Sequence, residues 1–296
     1  MHLPLPISLR SLPILLFSSR LAMASSSTPN PKARNFVTGP PASSKGIDFY
    51  SVDTPNGMKI SLAFAELKEA GSDLVVNRHN INFGKNEQKE EWFLKEVNPN
   101  GRIPAIVDRD RDNQSVFESG SILLYIAKHY DSTYILHFQD DKYETDMISW
   151  IFLQNAGLGP MQGQANHFLS AAPEKIPYAA RRFIDETKRL LSVYEEKLVG
   201  REYVVGEGQG KYSYADITAF TWIRAAPLVL GASLSESGFP NVEKWVARIA
   251  DRPASKVSFK PDDFVTKALS GGPEALKKRV EWVYEQKKDE HKKDEL

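Results

Sequence analysis

The chain has no cysteine among its 296 residues. That excludes a disulfide framework, thiolate metal sites and a cysteine nucleophile, so any thiol chemistry must borrow its sulfur from a ligand. Net charge is also absent: 38 Lys and Arg balance 38 Asp and Glu. Such a balance leaves no electrostatic footprint for nucleic acid or an anionic membrane. No apolar run approaches the ~18 residues of a membrane span. The six histidines show no metal-ligand spacing, so no metal is expected, and no G-x-S-x-G marks a serine hydrolase. Gly206 to Ser213 is glycine-rich, but Val205 and Tyr212 stand where a phosphate loop needs Gly and Ser or Thr.

Acidic residues are missing from the first 47 positions, where Arg10, Arg20, Lys32, Arg34 and Lys45 are basic. Residues 1–46 read as a leader or disordered arm. Its apolar stretch, Leu12 to Phe17, is short and carries Pro13. Ala22-Met23-Ala24 has the form of a signal-peptidase site, and the acid-free character also suits a mitochondrial presequence. At the other end Lys293-Asp294-Glu295-Leu296 spells a retrieval signal for the endoplasmic reticulum. The cytosol is the expected compartment, ahead of the reticulum lumen and then the mitochondrion. Asn113-Gln114-Ser115 is a lone glycosylation sequon, meaningful only on the secretory route.

Two regimes fill the interior. Ile47, Phe49 and Ser51 alternate with Asp48, Tyr50 and Val52, which predicts a strand. Ile60, Ala63, Phe64 and Leu67 follow the spacing of a helix face. A strand at Leu74 to Ile81, a helix at Glu87 to Glu96, short strands at 105–108 and 115–117, and a helix through Ile122 and Ile126 complete a β-α-β-α-β-β-α order over 47–131. Residues 140–256 show helical periodicity alone. Met147, Ile148, Ile151 and Phe152 define one face, and Phe183 to Leu198 a long helix. Ser213-Tyr214-Ala215-Asp216 forms a capping box flanked by Tyr212 and Ile217 as a hydrophobic staple. The tail, 257–296, is charged and ends in an amphipathic helix with Leu276, Val280 and Val283 aligned.

Three motifs carry chemistry. Thr54-Pro55-Asn56-Gly57 joins the first strand to the first helix, with Thr54 or Asn56 as N-cap, and a helix N-terminus can stabilise a thiolate. Asn98 to Ala105 holds two prolines around Asn-Gly, and a cis Ile103-Pro104 bond would present the Ile103 backbone to an extended ligand. Phe117-Glu118-Ser119-Gly120 opens the third helix, with Ser119 as the expected N-cap. There Ser119 suits a carboxylate and Glu118 an ammonium, the two charges of an α-amino acid end.

These motifs, in this order over about residues 47–256, resemble the glutathione transferase superfamily. Within it they are most similar to the nu-class and fungal nitrogen-regulator-like branch, whose members include disulfide-bond oxidoreductases. Gly157 to Met161, Gln164 to Phe168 and Ile176-Pro177-Tyr178 add to the likeness. The resemblance implies a thioredoxin-like domain followed by an all-helical domain, usually a homodimer. It implies glutathione as co-substrate, with Glu118 and Ser119 at its γ-glutamyl end, Ile103 pairing with its cysteinyl backbone beside Arg102 and Pro104, and Thr54 and Asn56 facing its sulfur. Arg182 falls where relatives place an arginine near the glycyl end or the partner subunit. The usual catalytic Tyr, Ser or Cys is not evident, because Thr54 and Asn56 occupy that region.

A free thiol ionises near pH 8.5, so a thiolate near neutrality needs donors or positive potential. The Thr54 hydroxyl, the Asn56 amide and the helix end supply both. The thiolate would attack an electrophilic carbon, in conjugation or detoxification, or a disulfide sulfur. A non-catalytic glutathione-binding regulator and a glutathione-dependent tailoring enzyme of a specific metabolite are the alternatives.

Overall fold

The computed structural model describes residue 39, residues 42–260 and residues 263–285. The expected leader lies almost wholly outside these residues, and Lys293 to Leu296 lies wholly outside them.

Four strands form one sheet in the order β2-β1-β3-β4: β1 (Ile47–Ser51), β2 (Val76–Asn80), β3 (Ala105–Asp108) and β4 (Gln114–Phe117). β2 runs parallel to β1, with Ile47 opposite Val76, while β3 and β4 are antiparallel additions. Every residue of β1 is buried, because a central strand covered on both faces has no solvent side. On one face Ile47 and Phe49 meet Ile60 and Phe64 of α1 (Pro55–Glu69) and Ile122 and Ile126 of α3 (Ser119–Tyr130). On the other, Tyr50, Ala105 and Val107 pack on Trp92 and Phe93 of α2 (Glu91–Glu96). Asp48 is accommodated there by Arg109, with Nη2 at 2.6 Å, and by His79 Nε2 at 3.1 Å. Asp112 and Asn113, both at φ near +55°, make the turn between β3 and β4.

The helix expected over Glu87 to Glu96 is interrupted. A 3₁₀ turn spans Glu87–Lys89, and Glu90 is extended before α2 begins. Glu90 accepts the Trp92 indole N–H at 2.7 Å, and Glu87 accepts the Asn82 backbone N–H, so side chains compete with the helical ladder.

The helical region contains α4 (Asp141–Phe152), a π-helical turn (Leu153–Leu158), α5 (Gly159–Ser170), α6 (Pro177–Lys197), α7 (Tyr214–Ile223), α8 (Pro227–Leu230), α9 (Pro240–Ala250), α10 (Pro253–Ser258), α11 (Phe264–Leu269) and α12 (Gly272–Val280). α7 is the centre: all of its residues are buried except Trp222, which is half-buried. Its capping box forms as the spacing predicts, with Asp216 Oδ2 accepting the Ser213 N–H at 3.0 Å. Asp216 Oδ1 meanwhile accepts from Val204 N and Trp245 Nε1, so one carboxylate ties α7 to a loop and to α9. Phe152, placed by periodicity with the core face of α4, is instead exposed. Met147 and Ile151 point inward, and Phe152 lies one residue, about 100°, further round the helix.

The described residues of the tail, which end at 285, carry helices that dock on the rest of the fold. Arg224 pairs with Asp263 at 3.0 Å, and Leu276, Val280 and Val283 are buried. Between the two regions α1 packs against α7 and α10. Arg252, the N-cap of α10, grips Glu66 of α1 through Nε at 2.6 Å and Nη2 at 2.7 Å while its guanidinium stacks on Tyr212.

Candidate functional site

A pocket of about 210 Å³ lies where three chain segments converge: the first turn of α1, the loop entering β3 and the start of α3. Asn56, Asn98, Arg102, Ile103, Pro104, Glu118 and Ser119 line it. Six of the eight residues singled out from the sequence are therefore brought together. Thr54 does not line the pocket. It is the N-cap of α1, its Oγ1 accepting the Gly57 N–H at 3.2 Å. Gly57 is required there, since a Cβ would stand 2.2 Å from the Val52 carbonyl oxygen. Arg182 sits on α6 in a separate groove with Met161, Tyr178 and Arg189.

The loop is organised by Asn98, which is buried. Its Nδ2 donates to the Arg102 carbonyl at 2.8 Å and its Oδ1 accepts the Asn100 N–H at 2.9 Å. Ile103-Pro104 is cis, as expected, and Arg102 is exposed at the rim.

The third segment differs from expectation in one respect. Ser119 is the first residue of α3, not its cap; Glu118 is the cap residue, held at φ +67°. Glu118 is exposed and makes no capping hydrogen bond, whereas Ser119 is buried. A non-glycine residue in this backbone region is uncommon and concentrates at binding sites. α1 and α3 both direct their N-termini at the pocket, so unpaired N–H groups and helix dipoles favour an anion there.

Beneath Ser119 lies a residue that periodicity did not single out. Lys59 of α1 is fully buried, and its Nζ donates to Ser119 Oγ at 3.1 Å and Asn155 Oδ1 at 2.8 Å, and also to Gln154 Oε1. Gln154 and Asn155 belong to the π-helical turn, and Gln154 also accepts from Thr218 of α7 at 3.1 Å. Burial pushes the Lys59 ammonium down to about 7, with nearby Glu118 opposing the shift. A lysine one residue before Ile60 on the buried face of α1 is the signal that would have found it. Gly120 is required at this seam, because a Cβ would stand 2.1 Å from Asn155 Nδ2.

Asn56 is tied to the helical region as well. Its Oδ1 accepts the Trp222 indole N–H at 2.8 Å, and Trp222 is seated on α5, where Gln162 Nε2 donates to its carbonyl. Among the described residues no cluster of His, Asp and Glu is placed to hold a metal ion, and no helix is long and apolar enough to cross a membrane.

A thioredoxin-like sheet followed by an all-helical region, with a pocket at the cis-proline loop, is matched by two family models. The glutathione S-transferase N-terminal domain matches residues 48–128 and the glutathione S-transferase C-terminal domain matches residues 172–253. The chain belongs to the glutathione S-transferase family. Disulfide-bond oxidoreductase YfcG of Escherichia coli (strain K12) is 38% identical over 213 residues, which are 71% of this chain and 92% of YfcG. A glutathione transferase homolog from Lodderomyces elongisporus, solved with two GSH per subunit, is 33% identical with a TM-score of 0.66, covering 74% of this chain and 100% of that one. Ure2p in complex with glutathione is 29% identical, also at a TM-score of 0.66, covering 74% of this chain and 100% of that one. Within the glutathione S-transferase family the chain thus falls in the Ure2p-like branch, as its motifs imply.

Proposed function

We propose that this family member binds glutathione in the pocket lined by Asn56, Arg102, Ile103, Pro104, Glu118 and Ser119, and uses its thiolate to reduce disulfides. The convergence of those six residues on two helix N-termini in a chain without cysteine carries this reading. The γ-glutamyl carboxylate takes the Ser119 hydroxyl and the α3 N-terminus, and its ammonium takes Glu118. Ile103 presents its backbone to the cysteinyl residue. The sulfur lies toward Asn56, whose Nδ2 is left free to donate because Trp222 holds Oδ1. Thr54 supports this end as the cap of α1.

With no protein thiol, both sulfurs of the exchange come from glutathione. A bound thiolate attacks one sulfur of the substrate disulfide, a new S–S bond forms, and the other substrate sulfur leaves as a thiolate that takes up a proton. A second glutathione thiolate then attacks the mixed disulfide at the glutathione sulfur, releasing the remaining substrate thiol and glutathione disulfide. Two glutathiones are oxidised for each disulfide reduced.

The deciding experiment gives the pure protein glutathione with a small symmetrical disulfide, and separately with an aryl halide. One glutathione disulfide per disulfide consumed, with no thioether from the halide, supports the reading. Thioether formation alone replaces it with conjugation.

We also propose a homodimer that uses the α5–α6 surface, where Tyr178 is two-thirds exposed and Arg182 lies alongside. Sedimentation of wild type against Tyr178→Glu tests this. The proposed compartment is the cytosol, supported by the proline-broken apolar stretch of the leader. A glycan on Asn113, exposed in the β3–β4 turn, would place the protein in the lumen instead.

A further inference from the structure

Lys59 is the one described residue that joins the pocket floor to the π-helical turn through a buried ammonium. Its three partners, Ser119 Oγ, Gln154 Oε1 and Asn155 Oδ1, are all neutral. No carboxylate lies within ion-pair distance of it among the described residues. A buried cation is ordinarily paired, because removal from water costs far more than neutral acceptors return. The missing counter-charge is the observation to explain.

Resting on the glutathione reading above, we propose that Lys59 is a positioning residue for the ligand's γ-glutamyl carboxylate, acting through Ser119, and that binding this carboxylate draws a proton onto Lys59. Two geometrical facts carry the inference. First, once protonated Lys59 only donates, so in the ligand-bound state Ser119 Oγ must accept from it. The Ser119 hydroxyl proton is left for another acceptor, and in the free protein it reaches Asn155 Oδ1 over a long 3.4 Å, a bond that a ligand carboxylate can replace. Ser119 is presented to the ligand as a donor. Second, a carboxylate bonded to Ser119 lies one hydroxyl from Nζ in a desolvated setting, where opposite charges interact strongly.

The free protein is poised for this exchange, since burial leaves Lys59 titrating near 7. Among the groups packed on Nζ from α3, the π-helical turn and α7, Ser119, Gln154, Asn155 and Thr218 do not titrate. Glu118 is the charged group that acts on it, and it favours the ammonium. An arriving carboxylate adds to that effect and raises the Lys59 pKa, so protons are taken up above pH 7.

The test uses S-methylglutathione, which has no ionisable thiol. Its binding heat is measured at pH 7.5 in buffers of different ionisation enthalpy, which gives the number of protons exchanged. The expected result is net uptake by wild type, none by Lys59→Met, and affinity about tenfold weaker in the variant at pH 6.5 with a smaller difference at pH 8.5. Binding by wild type without proton uptake overturns the role of Lys59 and leaves the glutathione reading intact. Absence of any binding overturns both. The wild-type proton count decides the matter by itself where Lys59→Met folds poorly. Uptake that persists in a folded Lys59→Met also overturns the assignment.

Discussion

The indole Nε1 of Trp222 donates to Asn56 Oδ1 at 2.8 Å, across 166 residues of sequence. An indole nitrogen only donates, so this bond sets which end of the Asn56 amide faces the helical region and leaves the NH₂ group for the pocket. The helical region thereby orients a side chain that belongs to the thioredoxin-like domain.

Asn56→Ala is expected to lower turnover about a hundredfold while changing glutathione affinity little, because the amide's proposed partner is the thiolate that develops charge during reaction. Trp222→Phe keeps an aromatic ring but frees the amide to rotate, and about a tenfold loss in kcat is expected. Steady-state kinetics separates the alternatives. A rise in KM alone for Asn56→Ala would make Asn56 a binding residue and move the catalytic role to Thr54.

Glu118 and Ser119 anchor the charged end of the ligand in this reading. Charge-assisted hydrogen bonds contribute roughly 1.5–3 kcal/mol each, so Glu118→Ala with Ser119→Ala should weaken glutathione at least about a hundredfold. Retention on immobilised glutathione at the wild-type level would remove these two residues from the site.

Lys59 makes a separate prediction for stability. Its folded pKa, about 7, lies below the 10.5 of an exposed lysine. Between those values the unfolded chain holds the proton and the native state does not, so this group adds stability as pH rises from 7. Below 7 the native state carries the full cost of the buried ammonium. Urea unfolding of wild type and Lys59→Met at pH 6.5, 7.5 and 8.5 should show wild type gaining on the variant by up to about 1.4 kcal/mol per pH unit above 7. Parallel pH profiles for the two proteins would contradict it.

The Arg252 and Glu66 pair is a further seam between the regions. Glu66 is buried, so Arg252→Ala strands its carboxylate and should destabilise the fold by about 3 kcal/mol. The double variant Glu66→Gln with Arg252→Met should recover much of this, since it leaves no unpaired charge. Chemical denaturation of the single and double variants gives the comparison, and equal losses in both would refute it.

Local sequence determined a good deal by itself. Period-2 and period-3.6 patterns located the β-α-β-α-β-β-α order and the all-helical remainder, because side chains sort by face within a few residues of one another. Ser213 and Asp216 announced their capping box because both partners lie within one helical turn. The motifs at Asn56, Ile103 and Ser119 were legible as turns and helix starts, and the resemblance they carried named six of the seven residues that line the pocket, Asn98 being the exception. Tertiary structure decided what depends on partners distant in the chain. Two departures were local instead: Glu90 broke an expected helix by accepting from Trp92 two residues on, and Glu118 took the cap position next to Ser119. Phe152 turned outward because burial follows the neighbouring helices, not the local stripe. Above all, Lys59 met Gln154 and Asn155, and Asn56 met Trp222, only once α1 had packed on the helical region. Hydrogen bonds between residues about 100 positions or more apart leave no periodic trace, and these are the contacts that set the charge and the donor direction of the site.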